Sequence, residues 1–302
     1  MRVLLAGASG LVGRALVGLL QQAGDEVRTL VRHPSASGDR YVWTGRPHSV
    51  PPAAISWADA VVSLNGAPLA RLPWTKAYRQ VIMDSRVAAT TALTQAIQAA
   101  DIPPQVWVSA SATGFYGPHG TVDEPFTERS PSGTGFLAGV TRAWEAAALP
   151  AAESTRVVRA RTGLVLAADG ALKPLFTTAR LGLGGAMGTG QQHWPWISLR
   201  DESRALRFAL NCTDLEGPVN LVGPTLATAG QVSRDLAAVL HRPHWFRVPA
   251  GVLRTAMGPA ADELILASQP VRPLRLLETG FEFKDQTPRG ALQQSVRGVG
   301  AL

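Results

Sequence analysis

Apolar and polar positions along this chain alternate as strand, tight turn, helix and strand again. Val3 to Ala6 is a short apolar run that stops at Gly7. Behind it Leu11, Val12, Ala15, Leu16, Leu19 and Leu20 recur at helical spacing, and Gly24 stands where that helix should end. Glu26 to Val31 reads as the second strand, and the stretch from Arg32 to Ser56, rich in Pro, Gly and Ser, as irregular. Ala60 to Leu64 is the next strand, and a long helix is predicted from about Ser85 to Ala100, closed by Asp101-Ile-Pro-Pro. Gln105 to Ser109 returns to the sheet, a helix covers about Phe136 to Ala148, and Arg156 to Arg161 is a further strand. After residue 165 the pattern loosens through Gly182-x-Gly184-Gly185 and Gly188-x-Gly190 into short elements. No internal repeat or low-complexity tract interrupts it.

Such alternation predicts an α/β chain with a Rossmann-like doubly wound parallel sheet and ligand at the carboxyl ends of the strands. The looser second half predicts a smaller C-terminal substrate-side lobe. The spacing Gly7-x-x-Gly10-x-x-Gly13, placed between the first strand and the first helix, sharpens this. Glycines there let the backbone turn tightly and let a pyrophosphate approach the free N–H groups at the helix start. The expected ligand is a dinucleotide. At the tip of the second strand an acidic residue would bond the ribose 2′-hydroxyl of NAD, and an arginine would receive the 2′-phosphate of NADP. The chain reads Leu30-Val31-Arg32-His33-Pro34-Ser35, with no carboxylate. Arg32 offers a planar fork to a phosphate and Ser35 a hydroxyl, so NADP(H) is the expected cofactor.

Composition narrows the classes. At 302 residues and 46% hydrophobic content, the chain is long enough to bury a substantial core. The net charge of +7 is spread along the sequence without a basic run, and the only lysines are Lys76, Lys173 and Lys284. No nucleic-acid partner is expected. No segment approaches the roughly 20 apolar residues of a membrane span, and none is expected to enter a membrane. Arg14 breaks the N-terminal apolar stretch, so it does not read as a signal peptide. Cys212 is the single cysteine, without an intrachain disulfide partner, which suits a cytoplasmic protein, monomer or homodimer. No Cys/His cluster has metal-ligand spacing, and neither a Gly-x-Ser-x-Gly elbow nor a P-loop lysine occurs. No metal is predicted.

Several segments together resemble one family. They are Ser109-Ala-Ser111-Ala-Thr-Gly-Phe-Tyr116-Gly117, Phe136-Leu-Ala-Gly-Val140-Thr-Arg-Ala-Trp144-Glu145 and Arg161-Thr-Gly-Leu-Val165-Leu. Arg180-Leu-Gly-Leu-Gly-Gly185, Pro195-Trp196-Ile197, Arg242-Pro243 and Gly280-Phe281-x-Phe283 extend the likeness over nearly the whole chain. It resembles the atypical extended short-chain dehydrogenases/reductases, an epimerase-like group with a C-terminal domain of unknown function. The resemblance implies a dinucleotide-binding domain over residues 1–240, with substrate-lobe insertions from about 166, and the extra domain over 241–302. It places Gly7, Ser9, Gly10, Leu11, Val12 and Gly13 around the cofactor, with Leu64, Asn65, Arg86 and Val165. Ser85-Arg86 is read as opening the long helix, and Arg86 as a candidate for the pyrophosphate.

Ordinary members work with a serine or threonine, a tyrosine, and a lysine four residues beyond it that lowers the phenol's pKa. Here Ser111 matches the serine, but Phe136 and Val140 stand where the tyrosine and lysine belong. None of Tyr41, Tyr78 and Tyr116 has a lysine four residues on. Tyr116, five residues past Ser111, is the leading replacement proton donor, with His193 and Asp201 as lesser candidates. The chain also departs from relatives at Ser63-Leu-Asn-Gly-Ala67, where an Asn-Leu-Ala-Gly-Glu pattern is expected, and at Ser198 and Arg200, where relatives carry His and Asp. The implied activity is NADP(H)-dependent oxidoreduction of an unknown small carbonyl or sugar-like molecule. The alternatives are a non-catalytic NADP(H)-binding or redox-sensing protein and, last, a nucleotide-sugar epimerase.

Overall fold

The computed structural model describes residues 1–33 and 38–299. The strands are β1 (Arg2–Ala6), β2 (Glu26–Val31), β3 (Arg40–Val42), β4 (Ala60–Ser63), β5 (Val106–Ala112), β6 (Arg156–Thr162), β7 (Leu164–Leu166), β8 (Gly184–Met187), β9 (Trp196–Ser198), β10 (Gly217–Leu221) and β11 (His244–Val248). Seven of them form the central parallel sheet in the order β10-β6-β5-β4-β1-β2-β3. The switch point of this doubly wound order lies between β1 and β4, where ligand binds in such sheets. The helices are α1 (Leu11–Gln22), α2 (Pro52–Trp57), α3 (Lys76–Gln98), α4 (Phe136–Ala148), α5 (Lys173–Arg180), α6 (Leu199–Asn211), α7 (Ala229–Val239), α8 (Ala250–Met257), α9 (Leu274–Glu278) and α10 (Pro288–Val299).

Successive residues of a strand face opposite sides, and the core splits accordingly. Val3, Leu5, Val62, Val108 and Val158 pack against Leu16 and Leu20 of α1 and Ala205 and Leu206 of α6. Their neighbours Leu4, Val61, Trp107 and Val157 pack against Ala89, Leu93 and Ile97 of α3. Both faces are covered, so the strands read as continuous apolar runs.

The C-terminal segment is fastened to this frame. Leu276, Phe281 and Phe283 join the first core, and Ala291 and Leu292 of α10 pack with Phe176, Trp196 and Leu236. The buried Asp201 carboxylate accepts backbone N–H groups from Lys284 (3.0 Å) and Asp285 (2.8 Å) and the Arg204 guanidinium (2.9 Å). Ser198 caps α6 by accepting from the Asp201 N–H at 3.0 Å, and Arg200 pairs with Asp285 at 2.9 Å. The two departures at 198 and 200 therefore have structural work, and Asp201 fastens the C-terminal segment to α6.

Three expectations need correction. The stretch Arg32–Ser56 contains β3, paired with β2, and α2, entered through Pro51-Pro52. Elements of three and six residues are too short to show a period. Helix α3 begins at Lys76, not at Ser85, because the Thr75 hydroxyl accepts from the Tyr78 N–H and caps it. Ser85 and Arg86 therefore lie well inside the helix. The loosening after 165 also conceals α6 and β10, both integral to the sheet layer. Among the described residues no helix is long and apolar enough to cross a membrane.

One buried group sets a pH dependence. Glu202, in the first turn of α6, accepts from the Thr162 hydroxyl at 2.8 Å through one oxygen, while the other has no partner. Burial pushes its carboxyl up to about 8. The native state thus holds this proton more tightly than the unfolded chain. The contribution is fully present below the ordinary carboxylate range and is lost as pH rises through about 8. Urea unfolding from about pH 5 to about pH 9 should show Glu202→Gln gaining on the parent by about 4 kcal/mol at the alkaline end. Parallel stability curves for the two proteins would show that this carboxyl titrates normally.

Candidate cofactor and active site

The turn after β1 is built on close approaches that only glycine permits. Gly7 has a φ of +89°, and a Cβ there would lie 2.8 Å from the Leu64 carbonyl carbon. A Cβ on Gly13 would overlap the Gly7 carbonyl oxygen and stand 2.9 Å from Ala8 Cα. Helix α1 can therefore start directly on the turn, against the end of β4, whose Leu64 N–H bonds the Ala6 carbonyl at 2.8 Å. Gly10 is the N-cap residue, with no side-chain cap and no acidic residue in the first turn. The N–H groups at the start of α1 are left for an outside acceptor, and the helix dipole favours an anion there.

Several of the predicted cofactor residues lie on this turn or directly beside it. Ser9 bends back, its carbonyl accepting from Arg14 at 2.6 Å, and Val12, Leu64 and Val165 pack against the core under the turn. Leu11 faces Gly170, where a Cβ would come within 3.1 Å of it, so the β7–α5 connection overlies the turn. Asn65 follows Leu64 directly and is half-buried. Leu30 pairs with Ala6, so the exposed Arg32 stands two residues further along the same edge. Ser35 lies outside the described residues. These features fit a dinucleotide: a glycine cradle, open helix N–H groups, and an unshielded cation beside the neighbouring strand tip.

Arg86 occupies a different place from the one expected. It is only 9% exposed and reaches back along α3, donating through Nη1 to the carbonyls of Ile82 (3.0 Å) and Ala67 (3.2 Å). Its guanidinium lies against Gly66, where a Cβ would be 3.1 Å from Cζ, and 5.2 Å from the Trp144 ring centre. Burial lowers its pKa to about 10, and no carboxylate partners it among the described residues. It braces the loop after β4 from behind, as an uncompensated cation beneath the cradle floor.

The two expected catalytic residues are held inside a buried polar chain. Ser111 donates to Glu145 at 2.7 Å, and Glu145 also accepts from Arg161 (2.7 and 2.9 Å) and Arg159 (3.2 Å). Glu145 lies nine residues beyond Phe136, about 13 Å further along α4. The Ser111 hydroxyl is therefore engaged by a side chain further along α4 than Phe136 and Val140. The Tyr116 hydroxyl donates to Asn220 at 2.6 Å and accepts from Arg161 at 3.0 Å; Phe126 stacks on its ring at 5.0 Å. Burial pushes the phenol up to about 12. In this geometry the Ser111 hydroxyl, expected to face substrate, and the Tyr116 hydroxyl, expected to donate a proton, are both engaged within the buried chain. The Trp-Glu pair at 144–145 and Arg161 were visible in the sequence, but nothing in their spacing showed that they meet.

The position of the missing pair is apolar. Val140 is buried with Trp74, Ile82, Leu137 and Ala260, and the half-buried Phe136 packs beside Met257 and Leu264. Glu263 accepts the Phe136 and Leu137 N–H groups at 2.8 and 3.2 Å and so caps α4. Trp74 and Trp196 are core residues whose indole N–H groups bond the Leu69 and Thr225 carbonyls. His193 is held in a loop beside Ser268, and partial burial lowers its pKa. Among the described residues no group of three or more His, Cys, Asp or Glu could hold a metal ion.

A doubly wound parallel sheet with a glycine turn at its switch point defines a Rossmann-type dinucleotide-binding protein. More narrowly, the chain belongs to the NAD dependent epimerase/dehydratase family, whose model matches residues 3–223. Residues 248–295 match a domain of unknown function, DUF1731. Epimerase family protein MT2273 of Mycobacterium tuberculosis is 39% identical over 295 residues, covering 96% of both chains. The human epimerase family protein SDR39U1 is 34% identical over 302 residues, covering 98% of this chain and 100% of its own. A crystal structure of human SDR39U1 (isoform 2) with NADPH superposes with a TM-score of 0.90 at 31% identity, over 98% of this chain and 99% of that one.

The buried chain predicts a structural role for Tyr116. Tyr116→Phe should lower unfolding free energy by about 1–3 kcal/mol, because Asn220 and Arg161 lose a buried partner. NADPH affinity in a fluorescence titration should stay unchanged. A large loss of affinity without loss of stability would return the phenol to the ligand site.

Proposed function

We propose that this chain is an NADP(H)-dependent oxidoreductase of the atypical extended short-chain type, acting on a small carbonyl or sugar-like molecule. The uncapped start of α1 on its glycine turn carries the cofactor half of the reading. The NADPH in the human SDR39U1 structure supports the phosphorylated form. When bound, that cofactor supplies a hydride. The chain's own residues bind and orient it: the first-turn N–H groups of Leu11, Val12 and Gly13 hold the pyrophosphate, and Arg32 holds the 2′-phosphate. Asn65, Leu64 and Val165 line the cradle, and Arg86 adds positive potential from beneath it. On this reading residues 1–240 carry the cofactor. Residues 241–302 close the substrate side through Glu263 and the stretch Met257–Leu264.

The chemical half is constrained by what Phe136 and Val140 lack. A positioned acid–base group contributes roughly 10²–10⁴-fold to such reactions, and neither residue can exchange a proton. With Ser111 and Tyr116 tied inside, the proton comes from water or from the substrate, and turnover is slow. The same observation favours a second reading, a redox-sensing protein that distinguishes NADPH from NADP⁺ without turnover. A strict nucleotide-sugar epimerase ranks third, because epimerisation depends on the absent pair.

Titration should give tight NADPH binding and much weaker NADH binding, with Arg32→Ala removing about tenfold or more of the preference. Equal affinity for the two cofactors, or an unaffected Arg32→Ala variant, contradicts the assignment. A carbonyl screen that consumes NADPH supports the enzyme reading; a partner protein bound in only one redox state supports the sensor. Restoring the lysine by Val140→Lys should cost about 3 kcal/mol or more in stability, since the cation enters an apolar cluster. An unchanged melting temperature would mean that position opens to the cradle.

A further inference from the structure

The lobe formed by β8, β11 and α8 carries a surface that neither the fold nor the cofactor site uses. Trp245 is 76% exposed and Phe246 50%, beside a register irregularity in β11. Strand β11 pairs with β8 from His244 opposite Gly184, and a Cβ on Gly182 would lie 3.8 Å from Pro243 Cγ, so the exposed Leu181 (70%) and Leu183 (52%) stand at the same strand ends. Helix α8 buries none of its residues fully and exposes Val252. Exposed large apolar groups gathered in this way mark a contact surface.

The surrounding charge is predominantly basic, and the nearest acidic group on α8's side, Asp262, is paired with Arg254 at 2.9 Å. Residues 170–200 and 236–261 contain no aspartate or glutamate. They carry Lys173, Arg180, Arg242 and Arg247, none of which has an ion-pair partner among the described residues. A second copy docked on the same face would bring basic rim against basic rim. Nucleic acid would leave Leu181, Leu183 and Val252 without a partner, since its surface offers phosphate and base edges. An anionic lipid surface satisfies both features: aliphatic and indole groups enter the acyl boundary while arginines stay at the headgroups.

We propose that this lobe docks the protein peripherally on an anionic membrane surface. Among the described residues no helix is long and apolar enough to cross the bilayer; Trp245, Phe246 and the two leucines enter its interface, and Arg180 and Arg242 pair with lipid phosphates. This replaces the expectation, based on spanning segments alone, of no membrane partner. It is independent of the reading of the cofactor site.

The test is co-sedimentation of the full chain with phosphatidylcholine vesicles, with and without phosphatidylglycerol. Binding should require phosphatidylglycerol, weaken with salt, and fall about tenfold or more in Trp245→Ser/Phe246→Ser and in Arg180→Glu/Arg242→Glu. Both variants should keep the parent's far-UV circular dichroism and melting temperature, which confirms their folding; if the first misfolds, the charge-reversed variant decides alone. Failure to bind phosphatidylglycerol vesicles overturns the proposal. So does self-association in the ultracentrifuge that the serine variant abolishes, which would assign the face to a second copy, or retention on single-stranded DNA but not on vesicles.

Discussion

The rest of the structure depends on how closely α1 is set against the ends of β1 and β4. That contact exists because Gly7 and Gly13 have no side chains: a Cβ on the first would strike the Leu64 carbonyl, and on the second the turn itself. The helix therefore begins at the sheet's switch point with its N–H groups facing outward, and everything placed around that point inherits its geometry. Leu64 and Asn65 continue β4 past it, and Arg32 follows the tip of β2. Arg86 completes the arrangement from below, and Gly66 is open enough to let the guanidinium lie against it.

The second organising contact belongs to the C-terminal segment. Glu263 caps α4, and Ala260, Met257 and Leu264 pack where ordinary relatives keep a polar tyrosine–lysine pair. Phe136 and Val140 are the residues that suit this apolar cover. Charge has moved one layer inward, to Glu145 between Arg161 and Arg159, with Ser111 and Tyr116 bound to the same chain. Removing Glu145 would strand a buried arginine, so this network fixes α4 to β6 and is poorly suited to passing protons to a substrate.

Most of the sheet was legible in the sequence, because buried parallel strands are continuous apolar runs: Glu26–Val31 and the helix Phe136–Ala148 match their predicted bounds. Short or polar-faced elements were not. The three-residue β3 has no period, the first turns of α3 are dominated by exposed polar residues, and α6 opens with acidic and basic residues that serve long-range contacts. The cradle was legible for the same reason as the strands, since glycine spacing is a local property. The fate of Ser111, Tyr116 and Arg86 was not, because each is decided by a partner distant in sequence or by a helix start shifted by nine residues.

The most direct measurement is NADPH binding to Gly10→Ala, followed by fluorescence, with circular dichroism as the folding control. A Cβ at this N-cap meets only the Gly7 carbonyl oxygen, at 3.3 Å, so the fold should tolerate it. It would nevertheless sit where a pyrophosphate approaches the helix start. A folded variant with NADPH binding reduced by about tenfold or more is the predicted result. Unchanged affinity in a folded variant would contradict the placement of the cofactor on the glycine turn.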